Sequence, residues 1–244
     1  MKSKVSARHI FMNLRLNKLA EMVDPGSRLA DIGTDHAYLP IKLVQEGKVA
    51  FAIASDVAAG PLQNAKTDIA EAGLGQQIET RLGSGLETLK DEDRIDTVVI
   101  AGMGGKLMVS LLEEAAGRGK YYPTLILEPN IGENRVRQWL EEHDYQIVAE
   151  DLVAEAGHTY ELIKAKQTGK KHSLTAKEKD FGPLLLKQKG PVFLAKWTRQ
   201  LAYYQQLLAN LNKAKQKDAD RIADLERLIK DISEEIKDEG EEND

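Results

Sequence analysis

The chain has 244 residues, of which 42% are hydrophobic and 30% are charged, and it contains no cysteine. This length can bury a full hydrophobic core, and the composition is typical of an ordinary globular protein. The lack of cysteine excludes a disulfide framework and metal sites with thiolate ligands. The longest apolar runs are far shorter than the ~18 residues of a membrane span, and the first residues lack the apolar core of a signal peptide. We therefore expect a cytoplasmic protein with no membrane association.

The formal net charge of −5 conceals two segments of opposite sign. Residues 164–217 carry 13 Lys and Arg against 2 Asp and Glu, whereas residues 218–244 carry 4 against 12. A concentrated basic segment in an acidic protein is typical of a protein that binds a polyanion. A lysine-rich helix face exposed to solvent would have the same composition, however, so charge alone leaves both interpretations open.

Strands and helices are predicted to alternate from Arg28 to about Gln167. Apolar strands are predicted in "RLADIG", "AFAIASDV", "IETRLG", "DTVVIAG" and "TLILEP", and most are followed by a segment with helical spacing. Strands of this kind are typical of a parallel sheet buried on both faces. The last two strands, "YQIVAEDLVAEAG" and "HTYELIKAKQ", have no helix between them and should pair antiparallel at an edge. The sequence therefore predicts a doubly wound α/β sheet, with residues 1–167 forming one domain.

Helical spacing replaces the strand pattern beyond "QTGKKHSL". Apolar residues recur at steps of three and four from Phe193 to Leu211 and again from Ile222 to Ile236. Two such helices joined by the polar stretch "NKAKQKDAD" predict an antiparallel coiled-coil hairpin. Residues 168–244 should therefore form a second, α-helical domain.

Polar or glycine-rich segments follow the predicted strands, at the edge where open α/β sheets bind ligands. The first strand runs into "DIGTDHAYLP", the third is followed by "GSGL", the fourth by "AGMGGK", and the fifth ends in "EPN". Asp56 lies near the end of the second strand, where a carboxylate can bind ribose hydroxyls. Each glycine cluster alone is also compatible with a plain tight turn, but their recurrence at successive strand ends indicates a nucleotide-containing cofactor.

The glycine pattern separates two classes of cofactor. A dinucleotide needs G-x-G-x-x-G after the first strand, so that its pyrophosphate can approach a helix N-terminus. The stretch "GTDHAY" has one glycine and places Asp35 where a phosphate would lie, and "AGMGGK" matches neither the dinucleotide fingerprint nor a Walker loop. S-adenosylmethionine (SAM) has no phosphate and carries a positive sulfonium, so nearby acids are favourable. A nicotinamide-dependent oxidoreductase is therefore disfavoured, and the scattered histidines predict no metal site.

The motifs "ADIGTDHAYLP", "AIASDVAAGPLQNA", "RLGSGL", "VVIAGMGG", "LEPN", "GHTYELI" and "FGPLLL" resemble the bacterial TrmK family of tRNA (adenine-N1)-methyltransferases. The resemblance covers nearly the whole chain from about Arg15. It implies a Rossmann-like class I SAM-dependent fold, mostly parallel with an antiparallel edge strand, followed by the helical hairpin. It also implies methyl transfer to N1 of an adenine in the D-arm region of tRNA, at position 22, with tRNA and not DNA as the partner. The alternative is a non-catalytic RNA-binding protein that retained the fold, and we expect a monomer or a weak homodimer.

The resemblance also implies where SAM binds. Asp56 would accept hydrogen bonds from the ribose hydroxyls, and the turn after the fourth strand would leave room for the sulfonium and the target base. Ser84 departs from the family, which more often has an acid at this position. The candidate cofactor residues, from the methionine end onward, are Asp31, Gly33, Thr34, Asp56, Val57, Gly83, Ser84, Gly85, Ala101, Gly102, Met103 and Gly104.

Methylation of adenine at N1 needs no general base, because N1 has a lone pair and carries no proton at neutral pH. The methyl group must be aligned with N1, and the adenine becomes cationic as the bond forms. We expect Asp35 to stabilise that charge. Tyr38 would stack on the base or cover the cofactor, His36 would orient either of them, and Asn130 completes the catalytic candidates. The structural alternatives are a helix cap for Asp35, a hydrogen-bonded histidine for His36 and core packing for Tyr38.

The basic segment supplies the candidate contacts with tRNA phosphates. Residues 1–163 carry a charge of −8 and would repel RNA, so the attraction should come from the segment that follows. The candidate RNA-binding residues are Lys170, Lys171, Lys177, Lys187, Lys189, Lys196 and Arg199.

Overall fold

The computed structural model describes residues 13–213 and 218–237, and it contains a seven-stranded sheet flanked by helices. The strands are β1 (Arg28–Ile32), β2 (Phe51–Asp56), β3 (Ile78–Leu82), β4 (Thr97–Met103), β5 (Thr124–Pro129), β6 (Tyr145–Glu155) and β7 (His158–Gln167). The helices around the sheet are α1 (Leu14–Met22), α2 (Tyr38–Gln45), α3 (Ala59–Glu71), α4 (Gly105–Gly117) and α5 (Glu133–Glu142).

The strand order is β3-β2-β1-β4-β5-β7-β6, and β1 to β5 are parallel to one another. Strand β7 lies between β5 and β6 and pairs antiparallel with both. The prediction of a mostly parallel sheet that ends in an antiparallel pair is thus confirmed. The order adds one feature that the sequence pattern did not predict. The outermost strand, β6, runs in the same direction as β1 to β5, because β7 is inserted before it.

Both faces of the sheet are covered, which accounts for the continuous apolar runs of the central strands. Leu29 packs in a core with residues of α1, α2 and α3, whereas its neighbour Ala30 packs in a second core with residues of α4 and α5. Successive side chains of a strand point to opposite faces, so a strand buried on both faces needs apolar residues at every position. The C-terminal ends of β1 to β5 form one edge of the sheet, called here the carboxyl edge.

The chain forms two compact units that divide between Thr175 and Ala176. The sequence-based boundary after Gln167 coincides with the end of β7. The segment up to Thr175 belongs to the first unit, where the backbone N–H of Leu174 donates to Glu141 Oε1 at 2.9 Å. No helix within the described ranges is both long enough and apolar enough to span a membrane.

The second unit contains α6 (Ala176–Phe181), α7 (Leu185–Gln188), α8 (Pro191–Lys213) and α9 (Ala219–Glu235). Helices α8 and α9 pack against each other. Lys189, just before α8, forms a 2.9 Å ion pair with Glu235 at the end of α9, so the two helices are antiparallel. Trp197 and Leu225 of the predicted apolar seam are buried. The predicted hairpin is therefore present, and α6 and α7 are additions that the sequence pattern did not reveal.

Candidate active site

A cleft of about 450 Å³ opens at the carboxyl edge, where the strand order reverses between β1 and β4. Ligands of open α/β sheets bind at such a switch point. Three segments build its walls: the turn between β1 and α2, the end of β4, and helix α1. The sequence-predicted residues that it brings together are Asp31, Gly33, Thr34, Asp35, His36, Tyr38, Ala101 and Gly102.

The turn between β1 and α2 is tied to the neighbouring strand by its backbone. The N–H groups of Gly33 and Thr34 both donate to the carbonyl of Ser55, at 2.8 and 2.9 Å. Gly33 has a φ of +79°, and a Cβ atom there would overlap the side chain of Met103. Only glycine therefore fits at this position without displacing Met103. The turn is held in place at the point where it faces the cleft.

Asp35 lies on the rim of the cleft and does not cap α2. The cap residue of α2 is Ala37, and the N–H of Ala37 donates to the hydroxyl of Thr34 at 3.2 Å. The side chain of Asp35 is 73% exposed. The helix-cap alternative for Asp35 is therefore wrong, and its carboxylate faces the solvent that a substrate would displace.

His36 is held from two sides. Its Nδ1 lies 2.7 Å from Asp68 Oδ2 on α3, and its Nε2 lies 3.8 Å from Asp35 Oδ1. Its ring stacks on the ring of Tyr38, with centroids 4.9 Å apart and planes inclined by 15°. Asp68 was not among the sequence candidates, although it lies on the amphipathic helix that follows β2. The cluster presents a fixed pair of rings at the rim.

Asp31 is a buried carboxyl group at the end of β1, with 9% of its surface exposed. Burial raises its pKa from 3.8 to about 6, and this effect outweighs the hydrogen bond with Thr34 and the positive charge of Arg15, which lower the pKa. The charge of Asp56 raises the pKa further. A cationic ligand group at this point would favour the ionised form of Asp31.

Helix α1 brings a cation to the cleft, and sequence reasoning missed it. The Nη1 of Arg15 donates to Oε2 of Glu128, which is fully buried at the end of β5. The guanidinium also lies 5.3 Å from the centroid of the Tyr160 ring. Burial raises the pKa of Glu128, while Arg15 and the N–H of Gly102 lower it. The local signal that could have revealed this helix is Asn13, whose side chain accepts the N–H of Leu16 as a helix N-cap.

The remaining cofactor candidates lie at the adjacent strand ends, outside the walls of this cleft. Asp56 ends β2, and its Oδ1 accepts the N–H of Ala58 at 2.6 Å. The carbonyl of Asp56 accepts the N–H of Gly83 at 3.0 Å, which ties the turn after β3 to the end of β2. Val57 and Ser84 are exposed, and Gly85 begins a short 3-10 helix. These positions form the continuation of the cleft edge along β2 and β3.

Asn130 joins the loop after β5 to the turn after β4. Its Nδ2 donates to the carbonyl of Gly102 at 2.8 Å, and its backbone N–H donates to the carbonyl of Met103, also at 2.8 Å. Gly104 follows as the N-cap residue of α4. The contacts of Asn130 therefore fix the shape of the β4 turn that lines the cleft.

The candidate RNA-binding cations fall into two sets: those whose side chains contact other groups of the second unit, and those that are exposed. Lys177 pairs with Glu234 and Glu235 of α9, at 2.8 and 3.0 Å, and the pairing raises the pKa of Lys177. Lys189 also pairs with Glu235, and Lys196 is buried with its Nζ 5.1 Å from the Trp197 ring centroid. Arg199 is exposed on α8. The other three are exposed as well and are called here the exposed lysines: Lys170, Lys171 and Lys187.

Comparison with known proteins identifies the family. The model of the TrmK family, described as tRNA (adenine(22)-N(1))-methyltransferase, matches residues 29–235. The tRNA (adenine(22)-N(1))-methyltransferase of Bacillus subtilis (strain 168) is 35% identical over 231 residues, which cover 91% of this chain and 96% of the relative.

Solved structures agree with this result. A putative tRNA (m1A22) methyltransferase from Streptococcus pneumoniae, in complex with S-adenosyl-L-methionine, is 36% identical with a TM-score of 0.84 and covers 93% of this chain and 100% of its own. TrmK from M. capricolum, in complex with S-adenosyl-homocysteine, is 30% identical with a TM-score of 0.80 and covers 92% of this chain and 97% of its own. The chain belongs to the TrmK family of tRNA (adenine(22)-N(1))-methyltransferases.

Proposed function

We propose that the protein transfers the methyl group of SAM to N1 of adenine 22 in the D-arm region of tRNA, which gives 1-methyladenosine. The family and its relatives with SAM and S-adenosyl-homocysteine support this activity. The observation that carries it is the cleft at the carboxyl edge, which is lined by Arg15 and by the two acidic residues Asp31 and Asp35. No observation favours the alternative of a non-catalytic RNA-binding protein.

The residues of the cleft fit the methionine part of SAM in charge. The methionine part of SAM has one ammonium group, one carboxylate and a sulfonium. Asp31 is assigned to the ammonium group, because burial makes its carboxylate costly without a cation. Arg15 is assigned to the carboxylate, since its guanidinium lines the cleft. Asp56 is assigned to the ribose hydroxyls.

SAM supplies a methyl group that is already activated by its sulfonium. The protein must therefore position the adenine and stabilise the charge that develops on it. Asp35 is assigned to that charge. Because Asp35 is largely exposed, its carboxylate becomes effective only when bound tRNA displaces water from the rim. The stacked rings of His36 and Tyr38, anchored by Asp68, offer a wall for the extruded base.

The exposed lysines and Arg199 are assigned to tRNA phosphates. Lys177 and Lys189 are engaged with the acidic residues of α9, and their role is to stabilise the second unit. Lys196 lies against Trp197 and packs the base of the hairpin. The attraction for RNA is therefore carried by fewer cations than the composition of the basic segment indicates.

The tRNA substrate supports a location in the cytoplasm, and we propose a monomer or a weak homodimer that does not use DNA. The second unit supports the monomer because large aromatic residues of α6 and α8 pack on one another within one chain: Phe181 and Phe193 both contact Trp197, with centroids 4.3 and 6.1 Å from the Trp197 ring. Sedimentation at several concentrations tests the oligomeric state, and competition with duplex DNA tests the choice of nucleic acid.

The decisive experiment is methyl transfer from labelled SAM to tRNA, followed by nucleoside analysis. Wild-type protein should give 1-methyladenosine with tRNA that has adenine 22, and none with the same tRNA carrying guanine there. Asp56→Ala should weaken SAM binding by roughly ten- to a hundred-fold, because it removes charge-assisted hydrogen bonds. Absence of 1-methyladenosine with the wild type would refute the function, and an unchanged SAM affinity of folded Asp56→Ala would place the ribose elsewhere.

A further inference from the structure

The carboxyl edge holds the most exposed large apolar side chains among the described residues of the first unit. Among the described residues of the first unit, five large apolar side chains are more than half exposed: Leu14, Val57, Leu82, Leu107 and Ile131. All five lie at this edge. Leu14 belongs to it because its N–H donates to Glu155 Oε1 at the end of β6, which runs parallel to β5. Single exposed apolar residues are normal, but their restriction to the edge that holds the cleft indicates a binding surface.

Four of these side chains form two pairs at different parts of the edge. Val57 and Leu82 follow Asp56 and the end of β3, on the side assigned to the adenosine part of SAM. Leu107 and Ile131 lie instead at the start of α4 and in the loop after β5, beside the turn that must admit the target base. Ile131 is the most exposed of the five, at 73%.

The loop that carries Ile131 is clamped to the start of α4. The N–H of Gly105 donates to the carbonyl of Ile131 at 2.8 Å, and a Cβ atom at Gly105 would overlap the carbonyl oxygen of Gly132. Gly132 itself has a φ of +77°. A Cβ atom at Gly104 would lie 3.9 Å from Ile131 Cγ1. The loop thus has backbone contacts with the β4 turn and presents an isoleucine to solvent beside it.

The reaction requires extrusion of the target adenine, a step in which an exposed apolar side chain can take part. Adenine N1 belongs to the Watson–Crick edge, so the target adenine must be unpaired and must leave its stack before it can be methylated. Extrusion leaves a gap between the neighbouring bases, and nucleic-acid-binding proteins often fill such gaps with apolar side chains. Ile131 is exposed, its backbone is held by hydrogen bonds, and it lies next to the site for the base. These are the properties expected of a side chain that fills such a gap, called here a wedge.

We propose that Ile131 inserts between the bases that flank the target adenine and so holds the adenine extruded. The proposal rests on the proposed function and goes beyond it. Its partner is the base stack of the tRNA around adenine 22. Ile131 is a positioning residue in this role, because it acts on the reacting base through the neighbouring bases.

The test compares two variants on two substrates. Ile131→Ala should lower the single-turnover methylation rate of normal tRNA roughly ten- to fifty-fold, from the apolar contact that it removes. Its SAM affinity and thermal stability should match the wild type. Val148→Ala is the matched control, because Val148 is an aliphatic residue 40% exposed on β6, and its rate should not change. The second substrate is a tRNA in which the nucleotide facing adenine 22 is abasic, which lowers the cost of extrusion.

The second substrate separates the wedge from a contact with the adenine itself. The defect of Ile131→Ala should shrink to within about three-fold on the abasic substrate, and fluorescence of 2-aminopurine at position 22 should show less extrusion with normal tRNA. An equal defect on both substrates would overturn the proposal and place Ile131 against the extruded base. A normal rate for Ile131→Ala would also overturn it. Failure of the wild type to methylate either tRNA would refute the proposed function instead.

Discussion

Replacement of Asp31 by asparagine should change stability and SAM binding in opposite directions. Asp31 is almost buried, and burial raises its pKa from 3.8 to about 6. The ionised carboxylate is therefore less favourable in the folded protein than in the unfolded chain. The difference between the two pKa values corresponds to on the order of 3 kcal/mol at neutral pH. The asparagine side chain keeps a hydrogen-bonding group of similar shape but removes this cost.

The pH range follows from the sign of the pKa change. Below about pH 4 the carboxyl is protonated in both the folded and the unfolded state, so Asp31 does not lower the free energy of unfolding. Between about pH 4 and 6 the folded state retains a proton that the unfolded state releases, so the contribution of Asp31 to the free energy of unfolding falls as pH rises. Above about pH 6 the carboxyl is ionised in both states, and Asp31 lowers the free energy of unfolding by the full amount. Asp31→Asn should therefore stabilise the ligand-free protein by up to about 3 kcal/mol at pH 7 and have little effect at pH 4.

SAM binding should respond in the other direction. If Asp31 binds the ammonium group of SAM, Asp31→Asn should weaken the affinity at pH 7 by roughly ten- to a hundred-fold. Chemical denaturation between pH 4 and 8 measures the first effect, and calorimetry with SAM measures the second. Asp24→Asn is the control: the hydrogen bond from Lys164 holds the pKa of Asp24 below its usual range, so this variant should lose stability and keep SAM affinity. A less stable Asp31→Asn protein that binds SAM normally would refute the reasoning.

Three further predictions concern the ligands of the site. Arg15→Ala should weaken SAM binding about ten-fold or more and leave binding of 5′-methylthioadenosine, which lacks the carboxylate, unchanged in calorimetry. Lys18→Ala on the same helix is the control, and equal losses for both ligands would assign Arg15 a structural role. Asp35→Asn should keep SAM affinity within about three-fold and lower the single-turnover rate roughly a hundred-fold, whereas equal losses would move Asp35 to the cofactor. Alanine at all three exposed lysines should reduce the log–log salt slope of tRNA binding by about 2 to 3, and Lys177→Ala should lower thermal stability with little change in slope.

The sequence predicted the elements that local patterns encode. Strand ends such as Asp31 and Asp56 could be located because buried strands are continuous apolar runs followed by a polar or glycine residue. The cleft residues of the β1 turn therefore lie where the sequence placed them. The order of the strands beyond β5 could not be predicted, because apolar periodicity shows that a strand exists but not which strand is its neighbour.

The site residues that the sequence did not predict make contacts with residues that are distant along the chain. Arg15 and Glu128 are 113 positions apart, and no local pattern connects a short N-terminal helix with the end of the fifth strand. Asp68 likewise meets His36 only because α3 packs beside the β1 turn. Composition gave the charge of the basic segment correctly but could not show that Lys177 is paired with two acids 57 and 58 positions away.

The ion pairs of the second unit reduce the positive charge that residues 164–244 can offer to RNA. Residues 164–217 carry +11 and residues 218–244 carry −8, so the net charge of residues 164–244 is only +3. Part of the basic charge is neutralised within the second unit, where Lys177 and Lys189 meet Glu234 and Glu235. Seven phosphate contacts would give a log–log salt slope of about −5 to −6, whereas the exposed lysines and Arg199 alone give about −3 to −4. Titration of the wild-type protein with tRNA across a range of salt concentrations distinguishes the two values. A slope near −5 would mean that the ion pairs of Lys177 and Lys189 with α9 open when tRNA binds, and that the acidic helix competes with RNA for these two lysines.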